Sequence, residues 1–104
     1  MNDLAIAKKL CALHSSANSR DIEFNLSFKK LKQLMTRKTC FYTGVRFDKK
    51  DNPMSIDRVD NTRGYVDDNV VACTVAVNQI KANLTIAQIE MLHKKVIEYK
   101  RKYS

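Results

Sequence analysis

Apolar positions at helical spacing mark four stretches of this chain, and an alternating run in its middle marks a strand. In the first stretch Leu4, Ala7, Cys11 and His14 share a face; Asn2 or Asp3 supplies the N-cap of a helix running to about Ser16. In the second, Ser27 caps a helix to about Arg37, with Phe28, Leu31, Leu34 and Met35 as its apolar stripe. Cys40 to Gly44 reads as a short strand and turn, and Met54 to Val59 as a β-prone run alternating around Asp57. Asp60 to Gly64 is turn-rich, with Gly64 expected at a positive φ.

From Val70 the apolar run reads as a third helix. Val70, Cys73, Val77 and Ile80 fall on one face, and Val71, Val75, Asn78 and Ala82 form a second stripe beside it. Asp67 and Asp68 would then sit at its N-terminus, where negative charge is favoured. Asn78 is a polar group in an apolar row, and a buried amide needs a partner. Thr85 and Gln88 form a capping box for a last helix to about Lys102. Its buried stripe would be Ile86, Ile89, Leu92, Val96, Tyr99 and Tyr103, with His93 among them.

Length and charge narrow the class. A chain of 104 residues makes one domain, residues 1–104, with a modest core. Its net charge of +8 suits a polyanionic partner, although charge of this size also serves solubility alone. Lys29, Lys30 and Lys32 on the second helix are candidates for phosphate contact, as are Arg20 in the connector and Lys81 one turn beyond Asn78. For each, an ordinary solvated charge is the plain alternative. Cys11, Cys40 and Cys73 are odd in number and unpaired in spacing, which argues against a disulfide framework and for a reducing compartment. There is no long apolar run and no secretory pattern at the N-terminus, so the expected setting is cytoplasmic, with no membrane partner.

The chemistry concentrates in one place. A strand ending in an acid, a turn-rich connector and an amide-bearing helix together offer two hard oxygen ligands, Asp57 and Asn78. Such a pair suits Mg²⁺ or Mn²⁺ better than a soft metal. Taken singly, Asp57 reads as a solvated carboxylate and Asn78 as a surface amide.

The run Ser55-Ile56-Asp57-Arg58-Val59-Asp60-Asn61-Thr62-Arg63-Gly64-Tyr65-Val66-Asp67-Asp68-Asn69-Val70-Val71, followed by Asn78 and Lys81, resembles the HNH endonucleases, especially a small phage-encoded branch. The likeness extends upstream to Ser19 through Leu26 and to Cys40-Phe41-Tyr42-Thr43-Gly44, so it covers most of the chain. It implies a ββα-metal core over about residues 40–82, one Mg²⁺ or Mn²⁺ held by Asp57 and Asn78, and Asn69 bracing the loop. The sequence departs from the family where a histidine usually acts as general base; here stands Arg58. An arginine guanidinium keeps its proton at neutral pH and cannot serve as a base. It can clamp a phosphate and offset transition-state charge. The base is then open between Asp60, His93, a second metal and bulk hydroxide.

Many proteins of that family also carry a zinc knuckle of two Cys-x-x-Cys pairs. The corresponding positions here are Cys40 and Thr43, then Thr74 and Val77, and a zinc site needs thiolates. No structural zinc is expected, and Cys40 and Cys73 read as small buried residues. The sequence therefore points to an α+β fold with a hairpin-helix core flanked by N- and C-terminal helices. The leading function is a metal-dependent endonuclease or nickase acting on double-stranded DNA. The alternative is a nuclease-derived module that holds DNA, or a protein partner, without cutting.

Overall fold

The first helix ends in a motif that sets the course of the chain toward the site. A computed structural model describes residues 2–103. In it α1 spans Asp3–Ser19, capped by the Asn2 side chain accepting from the Ala5 N–H at 2.8 Å. It runs a turn beyond the expected end and closes with two backbone bonds, Ile22 N–H to Ala17 O and Asp21 N–H to Asn18 O. This pattern needs one residue in the left-handed region, which Asp21 supplies at φ 55°. Ile22 then turns back onto the core, and Phe24–Asn25 forms β1.

Ser27 caps α2, Phe28–Met35, as its sequence predicts, and its own N–H and hydroxyl are held by Asp67. Asp67 thus serves a helix forty residues earlier in the chain rather than the one that follows it. Beyond α2, the strand expected from Cys40 is reduced to a single bridge between Thr39 and Arg46, and the expected turn falls on residues 41–43, with Gly44 at φ 74°. Phe41 hooks this turn onto the sheet through its N–H to Ala72 O at 2.9 Å.

Met54–Arg58 forms β2, Tyr65–Val66 forms β3, and Val70–Thr74 forms β4. β2 and β4 pair antiparallel, with Asp57 opposite Val71 and Ile56 opposite Ala72. β1 and β3 make a short parallel pair. The expected helix from Val70 is therefore a strand for its first five residues, and only Val75–Lys81 is helical, as α3, with Thr74 as its N-cap. A run of small and β-branched apolar residues satisfies either period over so short a span. Pairing with β2 decides the matter. The architecture is α+β: a β2–β4 hairpin with α3 behind it, and α1 and α2 packed on the other side.

Nine buried residues make the core, among them Ile6, Leu26, Leu31, Leu34, Ile56, Tyr65 and Val70. Met54 and Ile56 point into it, so alternation along β2 turns Ser55 and Asp57 toward α3. Gly64 serves close approach rather than a positive φ. A β-carbon there would overlap the Glu23 backbone, where β1 meets β3.

The last helix, α4, spans Ile86–Tyr103 and opens with the expected capping box. Thr85 N–H donates to Gln88 Oε1 at 2.9 Å, and Gln88 N–H to Thr85 Oγ1 at 3.1 Å. Its apolar stripe is not buried. Leu92 and Val96 are half exposed, and Tyr99 and Tyr103 more so. The chain's radius of gyration, 15.6 Å, exceeds the roughly 13 Å of a compact domain this size because α4 stands away from the body. No helix among the described residues is long and apolar enough to cross a membrane.

Candidate functional site

Asp57 sits at the centre of the site, on the face of β2 that α3 covers. It is 8% exposed. Its Oδ2 accepts a 2.7 Å hydrogen bond from the Tyr42 hydroxyl and lies 3.3 Å from Lys81 Nζ. The Lys81 ammonium also donates to Arg58 O at 2.8 Å. Both contacts to the carboxylate fall on one oxygen, and no hydrogen bond or ion pair among the described residues uses Asp57 Oδ1. Burial, and then the bond to Asp57, push the Tyr42 hydroxyl well above the ordinary tyrosine range, so it remains a donor.

Asn78 lies on the first full turn of α3. Its Nδ2 donates to Ser55 Oγ at 2.8 Å, an arrangement that anchors the amide and leaves its oxygen without a partner among the described hydrogen bonds. Asp57 and Asn78 both line a cleft of about 170 Å³, with Arg20, Arg58, Asn61, Tyr65 and Asn83.

Two guanidinium groups share one aromatic ring at this cleft. Arg58 lies 5.3 Å and Arg20 5.9 Å from the centroid of the buried Tyr65. Arg58 Nη1 donates to the carbonyls of Asn61 and Arg63 at 3.1 and 2.9 Å. Arg20 donates through Nη2 to the Tyr65 hydroxyl at 3.0 Å and through Nε to Ser16 O. Each group is fixed on one side and keeps N–H donors for an anion.

Asn69 holds the loop that carries Arg58's carbonyl partners. It is 2% exposed; its Oδ1 accepts from Asp60 N–H, and its Nδ2 donates to the carbonyls of Asp60 and Gly64, all at 2.9–3.0 Å. Asn61 ties the same loop to the α3–α4 connection through Leu84 O.

Thus Asp57, Asn78, Arg58 and Arg20 come together, with Asn69 behind them. Others do not. His93 is exposed on α4 and does not line the cleft, so its expected place as a spare base fails on position. Lys81, expected as a phosphate contact or else an ordinary solvated charge, is 8% exposed and committed to Asp57. Lys32 pairs with Asp3 at 3.1 Å. Lys30 lines a separate groove of about 380 Å³ with Arg37 and Phe41, and Lys29 is exposed on α2; neither borders the Asp57 cleft. Asp60 folds back on Thr62, whose hydroxyl and then N–H hold its carboxyl below the ordinary aspartate range, which makes it a poor proton acceptor. Asp68, in the loop, pairs with Arg63.

Tyr42 is the participant that the sequence did not disclose. Its neighbours Cys40 and Thr43 hold the positions that a zinc-knuckle pair would take. Burial works to raise the Cys40 thiol, but the Thr43 hydroxyl and the N–H groups of Thr74, Thr43 and Tyr42 outweigh it, and the thiol falls to about 7. Cys73, fully buried beside the Asp57 charge, is pushed up to about 12.

The donor set at the cleft fits a hard divalent cation in kind: one carboxylate oxygen and one amide oxygen from adjacent elements, the rest left to water and phosphate. The nearby Lys81 ammonium opposes it in charge.

The fold and site define a small α+β protein with a cleft lined by Arg20, Arg58, Asp57 and Asn78, and comparison with known proteins carries the class no further. No family model and no solved structure matches the chain. It is 31% identical over 86 residues to an uncharacterized 29.0 kDa protein from the dda-modA intergenic region of Enterobacteria phage T4, a match covering 81% of this chain and 35% of that protein. It is 32% identical over 85 residues to an uncharacterized protein of Acanthamoeba polyphaga mimivirus, covering 75% of this chain and 16% of the other. The chain therefore spans only a minor part of each relative.

Proposed function

We propose that this chain is a metal-dependent phosphodiesterase acting on DNA, an endonuclease or nickase of the HNH type. The observation that carries the proposal is the meeting of Asp57 on β2 and Asn78 on α3 at one cleft, with Arg58 and Arg20 fixed beside them. The net charge of +8 supports a polyanionic substrate. Asp57 Oδ1 and Asn78 Oδ1 would hold a Mg²⁺ or Mn²⁺ ion. When bound, such an ion polarises the scissile phosphate and offsets charge on the leaving oxygen. Arg58 binds a non-bridging phosphate oxygen through the donors its carbonyl partners leave unused, and Tyr65 keeps its plane in place. Arg20, held at the Tyr65 hydroxyl, orients the flanking phosphate. Asp60 is held in its ionised form by Thr62, and His93 lies off the cleft. The attacking water therefore gives its proton to solvent hydroxide rather than to a side chain.

Nicking of supercoiled plasmid with Mn²⁺ tests this directly. Slow nicking by the wild type, lost in Asp57→Ala and reduced in Asn78→Ala, is the expected result. Equal nicking by wild type and Asp57→Ala would overturn the assignment.

One observation favours a second reading, a DNA-holding module that does not cut. Lys81 already neutralises Asp57 from within the protein. Under that reading DNA binding is indifferent to divalent ions, and no condition yields nicks.

A further inference from the structure

We propose that α4 is the docking helix for a partner protein, and that the partner presents an amphipathic helix flanked by carboxylates. Ile89, Leu92, Val96, Tyr99 and Tyr103 follow one another at intervals of three, four, three and four residues, the spacing of a two-stranded coiled-coil seam. Ile89 is partly covered, but from Leu92 onward the seam is exposed: among the described residues no α4 side chain belongs to the core or packs against it, and Leu92 and Val96 are 50% and 53% exposed. Leu92, Val96, Tyr99 and Tyr103 thus stand outside the core of this chain.

The flanks identify the occupant. One border of the seam carries Ile86, His93 and Lys100 and the other Gln88, Lys95 and Lys102, with no acid on either. Glu90 and Glu98 lie outside them; Glu98 reaches Lys95 at 3.4 Å, an exposed contact of little worth. Flanking charges set partner choice in such pairs. A second copy of this chain would bring lysine against lysine in either orientation, so self-pairing is disfavoured. A helix with Leu or Ile along its seam and Glu or Asp on its flanks matches both features. The surface lies apart from the Asp57 cleft and does not depend on its chemistry.

The test uses the full chain and two synthetic 21-residue helices, both with Leu at the seam, one with Glu and one with Lys on the flanks. Fluorescence anisotropy at low ionic strength should show the Glu peptide bound roughly tenfold or more tightly than the Lys peptide, from several flanking pairs acting together. Added salt should narrow the difference. Leu92→Asp with Val96→Asp should abolish binding without moving the thermal unfolding midpoint, since neither side chain packs on the body. Reversing Lys95, Lys100 and Lys102 to Glu should switch preference to the Lys peptide. Equal affinity for both peptides, or failure to bind either, would overturn the proposal. So would sedimentation showing a dimer that the Leu92/Val96 variant dissolves, or binding to phosphatidylserine vesicles that the same variant loses while neither peptide binds.

Discussion

Lys81 Nζ lies 3.3 Å from Asp57 Oδ2, with both side chains at most 10% exposed, so the proposed metal ligand carries its own counter-ion. Breaking a buried pair leaves the remaining charge without compensation. Lys81→Met should therefore destabilise the metal-free protein by about 3 kcal/mol. Divalent cations should then bind the freed carboxylate more tightly, and their binding should restore part of the loss by mass action. Thermal unfolding of wild type and Lys81→Met, each with EDTA and with Mn²⁺, measures both effects. If Mn²⁺ raises the variant's midpoint no more than the wild type's, Asp57 is a structural ion-pair member and not a ligand.

Asn69 makes three hydrogen bonds from a site only 2% exposed, and all three hold the Asp60–Gly64 loop. Asn69→Ala leaves two carbonyls and one N–H without these partners, and the expected cost is about 3 kcal/mol. Asn69→Asp should be nearly as harmful, because a carboxylate cannot donate to the two carbonyls. Urea unfolding of both variants checks this. Hydrogen exchange should show the loosening concentrated between Val59 and Val70.

Local signals were the most legible part of this chain. The Ser27 cap and the Thr85–Gln88 box depend on residues within one turn, and both stand as read. Asp57 and Asn78 could be paired because hard oxygens on successive elements suggest a shared centre. The reading failed where distant contacts decide. Val70–Thr74 became a strand because β2 offers it a ladder, which no local period records. Asp67 caps a helix forty residues upstream, and Tyr42 reaches Asp57 across the fold from the turn that follows Cys40. The α4 apolar stripe was visible and was expected to be buried, but periodicity reports which residues share a face, not whether anything covers it.

The two buried thiols should titrate in opposite directions from the usual 9.0. In a Cys11→Ser background, absorbance at 240 nm should show a thiolate step at about 7 that Cys40→Ser removes. Cys40, lowered in the folded state, contributes stability that is present above pH 9 and lost as pH falls through 7. Cys73, raised to about 12, contributes stability present below pH 9 and lost as pH climbs toward 12. Asp67, lowered first by the Ser27 N–H and then by its hydroxyl, contributes stability present above the unfolded aspartate pKa and lost in acid. Asp67→Asn should therefore flatten the acid limb alone. An unchanged acid limb in that variant would mean the Asp67–Ser27 contact contributes nothing to stability.

Arg58 gives the sharpest test of the proposed chemistry, through the pH dependence of plasmid nicking. The chain has two histidines; neither lines the cleft, and Asp60 is held ionised by Thr62. If solvent hydroxide takes the proton of the attacking water, the wild-type rate with Mg²⁺ should rise continuously from pH 6 to pH 9. Arg58→Ala should keep this profile and lower it throughout, because it removes an anion-binding group and no proton acceptor. Arg58→His should change its shape. An imidazole with an ordinary pKa of about 6.5 can accept the proton, so the rate should level off above that pH. General-base assistance is typically worth about 10²–10⁴-fold, enough to offset the lost guanidinium at neutral pH. A wild-type profile that already levels off near pH 6.5 would show that a histidine reaches the site in the DNA complex, and His93→Ala would then remove the plateau. Absence of nicking at every pH in both wild type and Arg58→His, with DNA still bound, would leave the non-cutting module as the function of this cleft.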